Sequence, residues 1–524
     1  MANKRLFQTK TSRVAPATTT NKAGGRAYKA SDSHSLCQYV ATGCFGSTYY
    51  IGAGEQLAKV KELVRSVDPV LVAKAAVYGH EKGRMKDVPA YLVAALAAQG
   101  RMDLVERIFP RVITTAKMLT TFVQIVRSGQ TGRKSFGTAL KRLVQNWFNS
   151  RHTSKIFAGS IGQAQPSFAD IIKMVHPRPT SDFHQAMYAY LLGKEYNPES
   201  LPENVRQFEL FKRGETKEVP DVPFRALTNV KMGVAQWRSI ARDMPWNTLR
   251  MNLNMLQRKG VFAGNGGDSF ARAVAHKLAD EEAIRSANAL PYSLLTAYQN
   301  TKDVPTVVQN ALQDALEVAT GNVPKFDHQV ALCIDTSGSM SSPITGYRGR
   351  GATTVTRCVD VAGLIAACFI RNNDDAIILP FDTSVHHVHI NPRDSVMTNA
   401  RKLARGGGGT DCSCATAYLN QTKARAKTVI YVSDCESWAD YHGIRTYWYN
   451  RGTGLANEWE TYKRRVKGAK LVLIDLVAPD GLQVPDAPNV LNVGGFSDAV
   501  FDVVGRFVEV GDAHFVDVVN ETEI

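Results

Sequence analysis

The chain has 524 residues, too many for one ordinary core, so two or more domains are expected. Its 44% hydrophobic and 21% charged residues are those of a folded protein and exclude a wholly disordered polymer. A formal charge of +15 favours polyanionic partners, chiefly nucleic acid, over neutral small molecules. The excess is uneven: residues 1–325 carry a net +19 and residues 326–524 a net −4, which predicts two domains with different partners. Eight cysteines without a CxxC pair predict reduced thiols and a cytoplasmic protein. No run of 18 apolar residues occurs, and the Lys- and Thr-rich start lacks the apolar stretch of a secretory signal, so no membrane partner is expected.

Residues 1–30 hold seven basic residues and no acidic one, which predicts a basic flexible arm able to touch RNA phosphates. Residues 31–325 read as a helical module. One helix is predicted from Asp87 as N-cap, with Pro89 in its first turn and Gly100 as the stop. Another carries Leu140, Leu143, Val144, Trp147 and Phe148 on one side and Lys141, Arg142, Gln145 and Asn149 on the other. Further helices are predicted at 171–175, 183–192, 226–242 and 249–256. Amphipathic helices in series, with little β-alternation, predict a solenoid of HEAT-like helix pairs.

Residues 326–524 alternate strand and helix. Strands are predicted at 329–334, 376–381, 428–433, 470–476 and 490–493, and helices at 354–370, 394–404, 413–426, 455–466 and 497–507. Apolar strands alternating with helices give a doubly wound, mostly parallel α/β sheet, whose ligands bind beyond the carboxyl ends of the strands.

The first of these strands ends in Asp335-Thr336-Ser337-Gly338-Ser339, a D-x-S-x-S run that sets one carboxylate and two hydroxyls on one turn. Such hard oxygen donors suit Mg²⁺ or a related divalent ion. Gly406 to Gly409 then deliver Thr410 before a helix, and Val432-Ser433 deliver Asp434 at another strand end. The glycine run lacks the Lys-Ser/Thr of a P-loop, and His80-Glu81 lacks a second His at helical spacing. His386, His387 and His389 are expected on a strand facing solvent, and Cys412 and Cys414 in packing. No nucleophile or acid/base pair emerges, so an enzyme is not expected.

The order D-x-S-x-S, Thr, Asp resembles the metal-ion-dependent adhesion site of von Willebrand factor A domains. That resemblance implies Asp335, Ser337 and Ser339 as direct ligands, Thr410 direct or through water, and Asp434 through water. Gly408-Gly409-Thr410-Asp411-Cys412-Ser413, Ser433-Asp434-Cys435-Glu436-Ser437 and Gly494-Gly495-Phe496-Ser497-Asp498 are similar to the Ro autoantigen family in particular. So are Gly43 to Ile51, 139–148, Val175-His176-Pro177-Arg178-Pro179, Asp243-Met244-Pro245 and Leu290-Pro291-Tyr292 in the helical part, which resembles the family's TROVE module. The His176 segment and Tyr190 to Gly193 look most like bacterial members.

The resemblance implies a ring of HEAT-like helices closed by the A domain. It implies binding of Y-like small noncoding RNA and of single-stranded 3′ ends of misfolded RNA. It also implies association with an exoribonuclease such as polynucleotide phosphorylase. His176 matches a histidine linked to Y RNA binding, its alternative being a capping or core histidine. The preceding turn, basic in animal members, shows Gly159 and Gln163, which shifts the expected contacts to Lys155, Lys173 or Arg178. Lys141 and Arg142 are either RNA contacts or a solvated helix face. A metal-dependent protein-interaction scaffold and a metal-dependent nuclease are the competing readings, the latter with only Asp411 and Glu436 as extra carboxylates.

Overall fold

A computed structural model describes residues 14–524 except 44, 163–164, 288, 349–350, 353, 440–451, 480, 498 and 511–513. Its contacts separate two compact units. One holds the described residues up to Val67 together with Ala289–Gln299 and Gln313–Glu521; the other holds Asp68–Asn288, Asn300–Leu312 and Thr522–Ile524.

The first unit is built on five strands: β1 (Val330–Asp335), β2 (Ile377–Phe381), β3 (Thr428–Ser433), β4 (Lys470–Asp475) and β5 (Val490–Gly494). They lie in the order β2-β1-β3-β4-β5 and every neighbouring pair is parallel, with Cys333 of β1 opposite Leu379 and Tyr431. Strands covered on both faces need no polar alternation, which explains why β1 and β3 are buried at every position. The predicted helices stand at Cys358–Asn372, Val396–Leu403, Ser413–Gln421, Gly454–Arg465 and Ala499–Val510. The chain leaves β1 toward β2 on one side and returns to β3 on the other. That reversal opens a crevice at the carboxyl ends of β1 and β3, where Asp335 and Asp434 sit.

Two expectations for this unit are corrected. His386 to His389 follow β2 as irregular chain, with His386 Nε2 3.0 Å from an Asp382 carboxylate oxygen and His387 edge-on to Tyr418. The basic arm is also not free along its described length. Residues 14–30 form a strap on the sheet unit, with a two-residue ladder between Thr19–Thr20 and Arg26–Ala27. Tyr28 is 4% exposed, lies in the same apolar cluster as Trp459 and Tyr462, and exchanges two 2.8 Å backbone hydrogen bonds with Leu482. Burying such a ring outweighs solvation of a short basic segment. Residues 1–13 lie outside the described residues.

The second unit is helical throughout its main span, from Pro69–Glu81 to Glu281–Ser286. The helix Asp87–Ala98 begins with Asp87 inside its first turn rather than at the cap, where a carboxylate meets the positive end of the helix dipole. The helix Thr138–Asn149 buries Leu140, Val144, Trp147 and Phe148, and Trp147, Phe148 and Phe168 meet edge to face at 5.0–5.8 Å. The single helix expected at 226–242 is two, Phe224–Leu227 and Val234–Asp243. Gly233 takes an extended backbone there, and the Gln236 side chain accepts its N–H at 2.9 Å, starting a new helix. Among the described residues no helix is long and apolar enough to cross a membrane.

Candidate functional site

In the sheet unit, four of the five predicted metal-site residues meet directly at the crevice. Asp335, Ser337, Ser339 and Asp434 are each at most 5% exposed. One carboxylate oxygen of Asp335 accepts the Ser337 N–H at 2.8 Å, closing the turn after β1, and the other accepts the Ser433 hydroxyl at 2.5 Å. The Ser337 and Ser339 hydroxyls are 3.2 Å apart, and Asp434 is hydrogen-bonded to Ser339. Thr336 fastens this turn to β2 through two hydrogen bonds to the Phe381 carbonyl.

Thr410 comes from the glycine loop, which docks on the same turn. The Gly338 N–H donates to the Gly408 carbonyl at 3.0 Å, and a Cβ on Gly406 would lie 2.2 Å from the Thr336 carbonyl oxygen, so only glycine fits there. Thr410 itself is 1% exposed, and its carbonyl accepts the N–H groups of Trp438 and Ala439.

Burial, then repulsion by Asp434, pushes the Asp335 carboxyl far above the usual carboxylate range. Asp434 is raised by burial and by the nearby Glu436 carboxylate, against the lowering effect of its Ser339 hydrogen bond. Two buried carboxyls beside the Ser337 and Ser339 hydroxyls therefore gain from a hard cation, and the donor set fits a divalent ion that retains waters. It is no cage of carboxylates, imidazoles or thiolates: among the described residues no three of His, Cys, Asp and Glu are grouped to hold a metal.

Several residues of this site were not foreseen. Tyr50, from the Gly43 to Ile51 motif, hydrogen-bonds Ser339, and burial holds its phenol protonated. A cavity of about 20 Å³, the room of one water or small ion, is walled by Tyr49, Tyr50, Ser339, Asp434 and Glu436, with Lys22 also on its lining. The signal was present in the Tyr-Tyr pair, but it lies nearly 300 residues before β1, on the far side of the sequence boundary drawn at residue 325.

In the helical unit the predicted RNA residues divide. The helix Phe168–Val175 ends on His176, whose backbone takes the left-handed conformation (φ 52°) and whose N–H caps the Ile172 carbonyl at 2.9 Å. Capping is thus done by the backbone, and the imidazole side is exposed with Lys173 and Arg178. The polar face of Thr138–Asn149 holds this loop. Gln145 Nε2 donates to the Val175 carbonyl at 2.6 Å and Asn149 Nδ2 to the Arg178 carbonyl at 2.9 Å. Lys141 and Arg142 stand one turn earlier on that helix, Arg142 in an exposed ion pair with Glu106. Lys155 is elsewhere, on a cavity of about 860 Å³ with Phe224, Arg225, Met244 and Met251. Gly159 faces Ala116 and the Phe168 ring too closely for a side chain, and Gln163 lies outside the described residues.

A parallel sheet carrying D-x-S-x-S, Thr and Asp at its reversal point defines a von Willebrand factor A domain, in a chain that also holds a helical unit. Residues 329–508 match the family model for the Ro60 vWA domain. The chain is 24% identical over 527 residues to the RNA-binding protein RO60 of Deinococcus radiodurans, covering 93% of this chain and 94% of that one. The crystal structure of the D. radiodurans RO (RSR) protein shares its fold, with a TM-score of 0.60 and 21% identity, over 92% of this chain and all of the other. The A domain is thus similar to that of Ro60 proteins, and the chain along nearly its whole length is similar to a bacterial Ro protein.

Proposed function

We propose that this chain is a cytoplasmic RNA-binding protein without catalytic activity of its own. It forms a ribonucleoprotein with a Y-like small noncoding RNA and takes single-stranded 3′ ends of structured or misfolded RNA. It passes these to an exoribonuclease such as polynucleotide phosphorylase. The observation that carries the reading is the exposed group Lys173, His176 and Arg178, held in register by Gln145 and Asn149 next to Lys141 and Arg142. A helix face and a loop presenting cations together can neutralise several phosphates, while an exposed imidazole stacks or hydrogen-bonds. The relative named as RNA-binding and the +19 charge of residues 1–325 support it further. Sequencing of RNA that copurifies at low salt, with gel shifts of the recovered species, tests it; protein that carries no RNA and shifts none overturns it.

In this reading the A domain binds a divalent cation, Mg²⁺ by its donor set, through Asp335, Ser337, Ser339, Thr410 and Asp434. When bound, the ion supplies positive charge that fixes an oxygen ligand in place. A second reading, a metal-dependent protein-interaction scaffold, is favoured by the exposed rings of Tyr49 and Trp438 close to this site. It requires Asp335→Ala to abolish capture of a partner protein while RNA binding persists.

A further inference from the structure

The strap of residues 14–30 lies directly against the loop that carries Asp434 and Glu436. Asn21, 5% exposed, donates its Nδ2 to the Ser437 carbonyl at 2.7 Å and accepts the Gly25 N–H at 2.7 Å, so one amide fixes both the strap's own turn and the metal-site loop. A Cβ on Gly25 would fall 1.8 Å from the Ser437 carbonyl oxygen, which leaves room for glycine alone. The Ala23 N–H donates to Glu436 Oε2 at 3.3 Å. Glu436, only 4% exposed, walls the same small cavity as Asp434 and Ser339, and Lys22 stands on its lining. A backbone donor of the strap therefore meets a carboxylate beside the site, and a lysine of the strap lines the same cavity.

We propose that the strap is a cap whose docking is linked to cation binding at the A-domain site. With the strap seated, Lys22 and the Ala23 amide stabilise the negative charge of the Asp434–Glu436 loop, and the cavity left beside Ser339 has room for one small ion. A divalent ion takes over that neutralisation, repels Lys22 and weakens the Ala23–Glu436 hydrogen bond, so the strap loosens as the ion binds. The linkage is reciprocal: whatever loosens the strap tightens the ion. The strap itself carries Lys22, Arg26 and Lys29 and no acidic residue, so cation binding also changes how these charges are presented to a polyanion.

The inference rests on the metal reading above, and the test separates the two. The full chain, wild type and with Lys22→Met or Asn21→Ala, is titrated with Mn²⁺ alone, and hydrogen exchange of residues 14–28 is followed by mass spectrometry in the wild type. Loss of an exposed like charge near the ion should tighten Mn²⁺ binding about three- to fivefold in Lys22→Met. Asn21→Ala should act in the same direction, and exchange of the wild-type strap should speed up on Mn²⁺ addition. Lys22→Met is at an exposed position, and the exchange measurement needs no variant, so a misfolded Asn21→Ala does not rescue the idea. Mn²⁺ binding that is equal in wild type and Lys22→Met, or a strap that exchanges more slowly with Mn²⁺, overturns the cap and leaves the metal site standing. Absence of Mn²⁺ binding in wild type and both variants overturns both.

Discussion

The two units present their candidate residues in opposite ways. In the sheet unit Asp335, Ser337, Ser339, Thr410 and Asp434 are buried, and each is fixed by hydrogen bonds from neighbouring turns. In the helical unit Lys173, His176 and Arg178 are exposed, and what is fixed is the backbone beneath them. Buried carboxyls respond strongly to one charge brought close. Exposed cations act weakly one by one and gain their effect by number and by salt dependence. The first arrangement suits a single small ion and the second an extended polyanion.

Asp335→Ala should separate the units most sharply. Removing a direct ligand should weaken Mn²⁺ binding by roughly a hundredfold or more, a loss typical of truncating a buried charged group. RNA affinity should stay within about twofold, both being read by titration on one preparation; an equal loss of RNA binding would end the contrast. Next in size is the combined neutralisation of Lys141, Lys173 and Arg178 to glutamine. Three lost phosphate contacts should lower the slope of log affinity against log salt by about 2 to 3, with Mn²⁺ binding untouched. An unchanged slope would move the RNA surface elsewhere, the Lys155 cavity being the first place to look.

The pH dependence of folding should also differ between the units. Burial pushes the Asp475 carboxyl, which accepts from Gln38 Nε2 at 2.9 Å, up to about 8. A carboxyl raised in the folded state holds its proton better there than in the unfolded chain. Its stabilisation is full below the ordinary carboxylate range and is lost as pH rises from about 4 toward 8. Asp475→Asn should flatten that decline in chemical denaturation of the sheet unit between pH 5 and 8, while the melting of the helical unit keeps its own profile.

Smaller effects sharpen the role of the capping histidine. His176→Gly removes the imidazole but suits the left-handed backbone, so it should leave stability unchanged or raise it by up to about 1 kcal/mol while reducing RNA affinity. Equal RNA affinity in that variant would make His176 a cap and nothing more. Smallest of all, Arg142→Ala breaks only an exposed pair with Glu106 and should cost less than about 0.5 kcal/mol by thermal melting.

The sheet was legible because buried parallel strands appear as continuous apolar runs, and all five came within a residue or two of their observed ends. D-x-S-x-S was legible for a simpler reason: its three donors fall within five residues and one turn is enough to converge them. Tyr50 and the strap were not, because their partners are set by tertiary packing. Nothing local in Asn21 announces a hydrogen bond to Ser437. Periodicity likewise ran through the break at residues 228–233, where Gly233 resets the helix although apolar spacing continues on both sides. His386 to His389 alternate as a strand would, yet β2 ends at Phe381 because the Asp382 side chain turns back to accept from Thr383 and Ser384. For RNA the sequence supplied charge and amount but not place. Lys155 and Lys173 look alike in the chain and belong to different surfaces in the fold.

The hydrogen bond from Asn21 to Ser437 spans 416 residues, and that separation sets an order of events during synthesis. At about 5–20 residues per second, a ribosome delivers the carbonyl that seats the strap roughly 20–80 seconds after it delivers Asn21. Through that interval residues 14–30, with the positive charges of Lys22, Arg26 and Lys29, have no A domain to rest on. The nascent chain therefore offers a basic stretch to any nearby RNA before the cap can close. A polypeptide begun at residue 326 would meet the converse problem, an A domain left without Tyr28 in its apolar cluster.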